Sequence, residues 1–313
     1  MEVMTGVAGL SAAPEGCVVT IGTFDGVHLG HRALIAGVVS EARRRGLPAA
    51  AVTWDRHPLQ TLRPEAAPPL LTSPARKIEL LGETGLDHVA VLPFDREFST
   101  WSPERFVREV LVEGLAARAV YVGEGWRFGK GASGDVALLG RLGEELGFEA
   151  SGVDLERDAT DAVSSSRIRA AVARGDIEVA ESLLGRPFDL DGLVVRGDGR
   201  GKGLGWPTAN LALEEGVAVP AAGVYAARAR IDRSWLPAAV NVGVNPTFGE
   251  GTPLRVEAHL LDFEGDVYGR TLRIAFARRL RDEKRFERVD DLVEQIGRDV
   301  EETRRLIAGT RGV

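Results

Sequence analysis

Two rhythms of apolar and polar positions divide the chain. In the first half, short apolar runs alternate with segments of helical period. Val18-Val19-Thr20-Ile21 reads as a buried strand. Leu34, Ile35, Val38, Val39 and Ala42 then recur on one helical face, and Gly46 followed by Pro48 ends that helix. Ala49 to Trp54 returns to strand, as do Val89 to Leu92 and Ala119 to Val122. Ser102-Pro103 makes an N-cap and first-turn pair for a helix through Val112, and Val136 to Leu146 has helical spacing. Strands alternating with helices predict a doubly wound α/β domain, a parallel sheet covered on both faces. A ligand is expected at the carboxyl ends of the strands.

After Leu184 the rhythm changes. Leu193 to Val195, Val224 to Ile231, Ala238 to Val242, Arg255 to Leu261 and Thr271 to Phe276 are strand-like, separated by Gly, Pro, Asn and Asp. One strong helix follows, from about Val289 to Leu306. Closely spaced strands without helices between them predict an antiparallel β-barrel or sandwich with a flanking helix. The boundary is expected at Gly185-Arg186-Pro187, giving domains of residues 1–185 and 186–313.

Composition narrows the choice of function. A chain of 313 residues with 44% hydrophobic and 27% charged positions is ordinary for a globular enzyme of two domains. The formal charge of -7 argues against nucleic acid as the main partner, because backbone phosphates require a basic face. The single cysteine, Cys17, makes no internal disulfide, and no Cys/His cluster has zinc spacing, so a reducing cytoplasm is expected. No run approaches the ~20 apolar residues of a membrane span, and no targeting segment is expected. A homo-oligomer stays open.

The most informative segment of the first half runs from Gly22-Thr23-Phe24-Asp25-Gly26-Val27 to His28-Leu29-Gly30-His31. It follows a strand and opens a helix, where backbone N–H groups and the helix dipole attract phosphate. His28 and His31 share a face of the first turn, and Gly30 between them lets a nucleotide lie near the backbone. Two imidazole donors there suit a phosphorus centre gaining charge. Two solvated histidines at a helix start are the plainer alternative; the Gly-rich turn, strand and helix favour phosphate. A second element, Ser164-Ser165-Ser166-Arg167-Ile168-Arg169, offers hydroxyls at a helix start and a guanidinium for pyrophosphate, although a serine N-cap on a surface helix has the same appearance.

In the second half, Gly197-Asp198-Gly199-Arg200-Gly201-Lys202-Gly203-Leu204-Gly205 precedes Trp206-Pro207-Thr208-Ala209-Asn210-Leu211. The glycines form a loop whose amides can wrap a polyphosphate, though a plain hairpin loop fits them equally. It is not a P-loop, because no Ser or Thr follows the lysine. Thr208 and Asn210 carry oxygens of the type that Mg²⁺ accepts beside ATP phosphates. In Arg255 to Phe263, Val256, Ala258 and Leu260 alternate inward, leaving Glu257 and His259 on the opposite face. A carboxylate there is placed to act as a general base, although a rim glutamate more often has no such role.

The first loop resembles the H-x-G-H nucleotidyltransferases, in which these histidines stabilise the transition state at the α-phosphate of ATP. The Ser164 to Arg169 segment is similar to that family's I-S-S-T-x-I-R element, with Ser166 in the threonine position. The second half resembles the riboflavin kinases through P-T-A-N-L, then N-x-G-x-x-P-T-F at Asn241 to Phe248, then E-x-H-L-L-D-F. In this order the whole resembles the prokaryotic bifunctional riboflavin kinase/FAD synthetases. The resemblance implies a β-barrel kinase that binds Mg-ATP through the Pro207–Asn210 element, with Thr208 and Asn210 on Mg²⁺ and Glu257 deprotonating riboflavin. It implies a first domain joining FMN and ATP into FAD, with His28, His31 and Arg169 on the reacting phosphates. Gly22, Thr23, Phe24, Asp25, Gly30, Ser164, Ser165 and Ser166 would line that nucleotide, and Gly199, Gly201, Lys202, Gly203, Pro207, Thr208 and Asn210 the kinase's. His57, Asn241 and Phe263 would meet flavin. The chain departs from the family at Gly125, Trp126, Trp54 and Arg56. Losing a polar side chain at Gly125 corresponds to about 1 kcal/mol, enough to alter substrate choice. The alternatives are therefore another nucleotide or acceptor in the first domain, or a flavin-binding regulator.

Overall fold

Cys17–Ile21 is buried at every position, so it can only be a central strand with helices on both faces. The computed structural model, which describes residues 1–11, 13, 15–154, 163–197, 200–243 and 254–309, shows this. Strands β1 (Glu2–Thr5), β2 (Cys17–Ile21), β3 (Ala49–Trp54), β4 (His88–Leu92), β5 (Ala117–Gly123) and β6 (Glu149–Val153) form a parallel sheet in the order β1-β4-β3-β2-β5-β6. The chain leaves β2 toward β3 and β4, then returns to lay β5 on the other side of β2. The crevice beyond the carboxyl ends of β2 and β5 is thus the switch point where open α/β sheets bind ligands.

Side-chain alternation along β2 feeds two apolar layers. Val18 meets Ile35 and Val38 of helix α1 (Leu29–Arg45) together with Leu80 and Leu81 further along the chain. Val19 and Ile21 face the other layer, with Phe106, Val110 and Leu139. Helix α1 ends at Gly46, in the left-handed conformation (φ 68°), as its position after the periodic residues requires. Two short helices follow β3, α2 (Pro58–Leu62) and α3 (Pro74–Gly82). Ser102 caps α4 (Pro103–Phe106), its hydroxyl accepting from the Arg105 amide at 3.2 Å, and the helix continues in π-helical turns to Gly114. Asp135 caps α5 (Val136–Leu146) in the same way.

Contacts divide the chain into two units: Met1–Leu70 with Pro74–Ser165, and Leu71–Ser73 with Ser166–Val313. Helices α6 (Ser165–Arg174) and α7 (Ile177–Leu184) thus lie almost wholly in the second. There, β7 (Phe188–Val195), a single helical turn α8 (Arg200–Gly203), β8 (Ala209–Leu213), β9 (Gly223–Ile231), β10 (Ser234–Gly243), β11 (Arg255–Leu260) and β12 (Thr271–Arg281) are followed by α9 (Val289–Gly309). The strands close a barrel in the order β10-β11-β8-β7-β12-β9, every pair antiparallel. Helix α9 packs on β9 and β10.

Three strands are longer than their apolar patterns predict. β7 begins five residues early because Asp191 is paired across the sheet with Arg273, at 2.7 Å through both guanidinium contacts. β10 runs through Pro237, whose carbonyl accepts from Leu261, so its missing N–H faces the side where the β11 ladder has ended. β12 continues past Phe276 through two register shifts, ending at Arg281. Such bulges bend a strand, as closure demands.

Candidate active sites

In the first unit, β2 delivers the Gly22–Val27 loop onto the start of α1. His28 is the N-cap of that helix: its Nδ1 accepts from the His31 amide at 3.3 Å. That bond requires Nδ1 to be unprotonated and leaves the ring proton on Nε2, a donor. The His28 and His31 rings stack, centroids 3.6 Å apart and planes within 18°, and Phe24 meets His31 edge-on at 5.2 Å. Burial, then the neighbouring His28 imidazole and the charge of Lys77, hold the His31 imidazole well below its usual range, so it is neutral. Its Nδ1 is buried without a hydrogen-bond partner among the described residues.

The loop is held in a sparsely populated conformation. Phe24 (φ 50°) and Val27 (φ 40°) both have left-handed backbones, strained for an aromatic and for a β-branched residue, and both are buried. The Thr23 carbonyl accepts from the Thr53 hydroxyl at 3.1 Å, and Gly22 N–H donates to Val52. Asp25 is buried, and its carbonyl accepts from the Ser165 hydroxyl at 2.9 Å. Ser164 is half-buried in the same unit. Ser166 and Arg169 belong to α6 in the second unit.

Gly30 has a packing reason. A Cβ there would lie 3.3 Å from the His28 ring and 3.5 Å from the Val163 carbonyl. Alanine improves helix propensity by up to about 1 kcal/mol, but only by pushing the ring. Gly30→Ala is therefore expected to melt no lower than the parent while losing at least about tenfold in the chemistry of this loop. Thermal unfolding beside a rate measurement checks both.

In the second unit, one row of polar residues crosses three strands. Glu257 on β11 stands opposite Asn210 on β8 and Asn241 on β10. Opposed residues share a face, and here it is the outer one, since Val256, Ala258 and Leu260 point into the core. Gly197 lies so close to Asn210 that a Cβ would be 2.3 Å from its amide. A cavity of about 290 Å³ opens over Glu257 and Asn241 of this row, walled also by Thr208 and His259 and by Leu292 and Ile296 of α9. Arg281 anchors α9 beside it through Asp299 (2.7 Å), which also accepts from Gln295 at 2.9 Å. His259 Nδ1 donates to the Pro207 carbonyl at 2.8 Å. Thr208 also lines a second cavity of about 400 Å³ with Pro207, Phe263 and Tyr268. The glycine loop is tighter than expected: the Gly201 carbonyl accepts from Leu204 and Trp206 amides, winding Arg200–Gly203 into a turn of helix. Gly203 is exposed; Gly199, the Lys202 side chain and the P-T-F element at 246–248 lie outside the described part.

The FAD synthetase family model matches residues 10–167 and the riboflavin kinase model residues 184–307. Proteins called bifunctional riboflavin kinase/FMN adenylyltransferase are 40% identical in Escherichia coli K12 over 301 residues (96% of each chain), 38% in Pseudomonas fluorescens over 309 (98% of each) and 33% in Bacillus subtilis over 299 (94% and 93%). The chain belongs to the bifunctional riboflavin kinase/FMN adenylyltransferase family. A solved structure described as a macrolide-efflux protein from Streptococcus pneumoniae is 31% identical, with a TM-score of 0.86 over 97% of this chain and 99% of that one. Among the described residues of this family member, no helix is long and apolar enough to cross a membrane.

Two of the four positions expected to depart from the family pattern, Trp54 and Trp126, converge. Trp54 packs on Phe94, Phe98 and Phe106, while Trp126 stacks on Phe128 at 4.5 Å and also meets Phe106. Both tryptophans thus enlarge one aromatic cluster. Nothing lies within 4 Å of a Cβ at Gly125, so the missing side chain leaves open space. Arg56 pairs with Asp55 at 3.0 Å. His57 caps α2, its Nδ1 accepting from Leu59 while its own amide donates to Gln60. Phe263 stands in the second cavity, whereas Asn241 stands in the first. Sequence reasoning missed Lys77, Arg281 and Asp299. Lys77 alone left a trace, a lysine on the helical stripe of Leu80 and Leu81.

Proposed function

We propose that residues 186–313 phosphorylate riboflavin with ATP and that residues 1–185 transfer the adenylyl group of a second ATP to the FMN so made, giving FAD and pyrophosphate. The observation that carries this reading is the pairing of both family matches, in order along one chain, with a separate polar site in each half.

In the kinase, the ribityl hydroxyl of riboflavin lies against Glu257, whose carboxylate accepts its proton as the oxygen attacks the γ-phosphorus and ADP leaves. Thr208 borders both cavities; with the flavin in the one that holds Glu257 and Asn241, the nucleotide reaches across from the other, which moves Phe263 from the expected flavin side to the nucleotide side. Thr208 and Asn210 present neutral oxygens, and no cluster of three His, Cys, Asp or Glu side chains is found among the described residues. This donor set fits a Mg²⁺ that arrives with ATP, keeping phosphate and water ligands. Bound there, the metal would neutralise charge between the phosphates; Asn210 and Thr208 would orient it, and the amides of Gly201 and Gly203 would face the polyphosphate.

In the adenylyltransferase, an FMN phosphate oxygen attacks the α-phosphorus and pyrophosphate leaves. The nucleophile is already anionic, so no base is required. His28 and His31 donate to the oxygens that gain charge, Ser164 and Ser165 hold the departing pyrophosphate, and Gly22 to Asp25 bring backbone against the nucleotide. Cys17 takes no part: burial pushes its thiol up to about 12, which leaves no reactive thiolate.

The test is direct. With riboflavin, Mg²⁺ and ATP, chromatography should show FMN rising and then giving way to FAD; FMN with Mg²⁺ and ATP should give FAD and pyrophosphate, and CTP should not replace ATP. Flavin bound without turnover, or FMN accumulating without FAD, would overturn one or both assignments.

A further inference from the structure

Among the described residues the buried side-chain cations are Lys77 and Arg273. Arg273 has a carboxylate in bidentate contact; Lys77 is given carbonyls instead. Its Nζ donates to the Trp54 oxygen at 2.7 Å and to the Thr23 oxygen at 3.4 Å. Trp54 ends β3 and Thr23 opens the loop after β2, so the ammonium bridges two strand ends at the ligand-binding edge of the sheet. A buried charge that lacks a full counter-charge destabilises a fold, and an apolar chain of the same length would fit more favourably. The lysine therefore has to be explained by what its charge does.

The surroundings say what that is. Thr23, which Lys77 holds, leads into the left-handed Phe24 and Val27, a loop that keeps its strained shape only if it is pinned. The charged and titratable groups that act on the ammonium are Asp25 from that loop, Asp55 at the end of β3, itself paired with Arg56, and His31 from α1. Burial draws the lysine down to about 8, against the pull of Asp25 and Asp55. Its charge in turn disfavours a second cation on His31.

We propose that Lys77 is a positioning residue of adenylyl transfer: it fixes the Gly22–Val27 loop across the ends of β2 and β3 and maintains a positive field beneath the ATP phosphates. This rests on the reading of the H-x-G-H loop as the adenylyl-transfer site.

The full chain carrying Lys77→Met, Lys77→Arg or His28→Ala tests it, with kcat and KM for ATP measured across the pH range around 8. In the parent, kcat/KM should fall as pH rises through about 8, where the ammonium loses its proton. The fall in kcat should come later, because bound phosphates hold that proton. Lys77→Arg stays charged and should lose the alkaline fall while keeping activity within about tenfold. Lys77→Met should lose at least about 100-fold at neutral pH, melt no lower than the parent, and phosphorylate riboflavin at the parent rate. A Lys77→Met chain within about threefold of the parent overturns the proposal, as does an alkaline fall that persists in Lys77→Arg. A fully active His28→Ala chain removes the site assignment and this proposal with it. An inactive His28→Ala beside a fully active Lys77→Met removes this proposal alone.

Discussion

A chain carrying Glu257→Gln is expected to form FMN from riboflavin and ATP at no more than about a hundredth of the parent rate, yet to convert supplied FMN to FAD at the parent rate. The substitution keeps the size and hydrogen-bonding reach of the side chain and removes only its basicity. The row Asn210–Glu257–Asn241 lies across three paired strands, so an amide at its centre keeps polar neighbours on both sides. No carbon is added or removed, so no cavity opens between the barrel and α9, and stability should change by less than about 1 kcal/mol. What is lost is the proton acceptor for the attacking hydroxyl, a contribution of roughly 10²- to 10⁴-fold. The loss should fall on kcat more than on KM for riboflavin, because the ground-state flavin still finds Asn241 and His259 in the same cavity. Chromatographic separation of the flavins after a fixed time reads both reactions in one tube. FMN formation persisting above about a tenth of the parent rate would remove Glu257 as the base. An equal fall in both activities would point to damage beyond the barrel site.

How much of this was legible in the residues differs from element to element, for physical reasons. β2 and α1 could be read because one is apolar at four of its five positions and the other carries five apolar residues at helical spacing before a left-handed glycine. β1 could not: it is a four-residue edge strand with only Met4 buried, and an edge needs no apolar pattern. The first half of β7 was hidden by its aspartates, since Asp191 is satisfied by an arginine 82 positions away. The same limit applies to the sites. Glu257, Asn210 and Asn241 were each recognisable in their motifs, but only strand register brings them into one row. Arg281 and Asp299 were silent because a partnership across 18 residues leaves no periodic mark. Lys77 stood on an apolar stripe, where sequence alone does not separate a buried ammonium from a snorkelling one.

The histidine loop gives the second large effect, provided that its structural and chemical roles are separated. His28 starts α1, and alanine there removes both the ring and the cap, the cap alone being worth about 1 kcal/mol. Asparagine is a better probe: its side-chain oxygen can accept from the His31 amide as Nδ1 does, while nothing replaces the Nε2 proton beyond. His28→Asn should therefore leave the melting temperature within a few degrees of the parent and lower FMN adenylylation by roughly 10²- to 10³-fold, the scale of removing one preorganised donor. Riboflavin phosphorylation should be untouched. Because His31 is held neutral well below its usual 6.5, the parent's adenylyl transfer should stay level as pH falls through that value. Stability should behave differently there: an unfolded chain protonates His31 near 6.5 while the folded one resists, so the first unit loses stability as pH drops below that point. A His28→Asn chain that transfers adenylyl groups at the parent rate would leave the stacked imidazoles as a helix cap and its neighbour, and the chemistry would have to be sought elsewhere on the sheet edge.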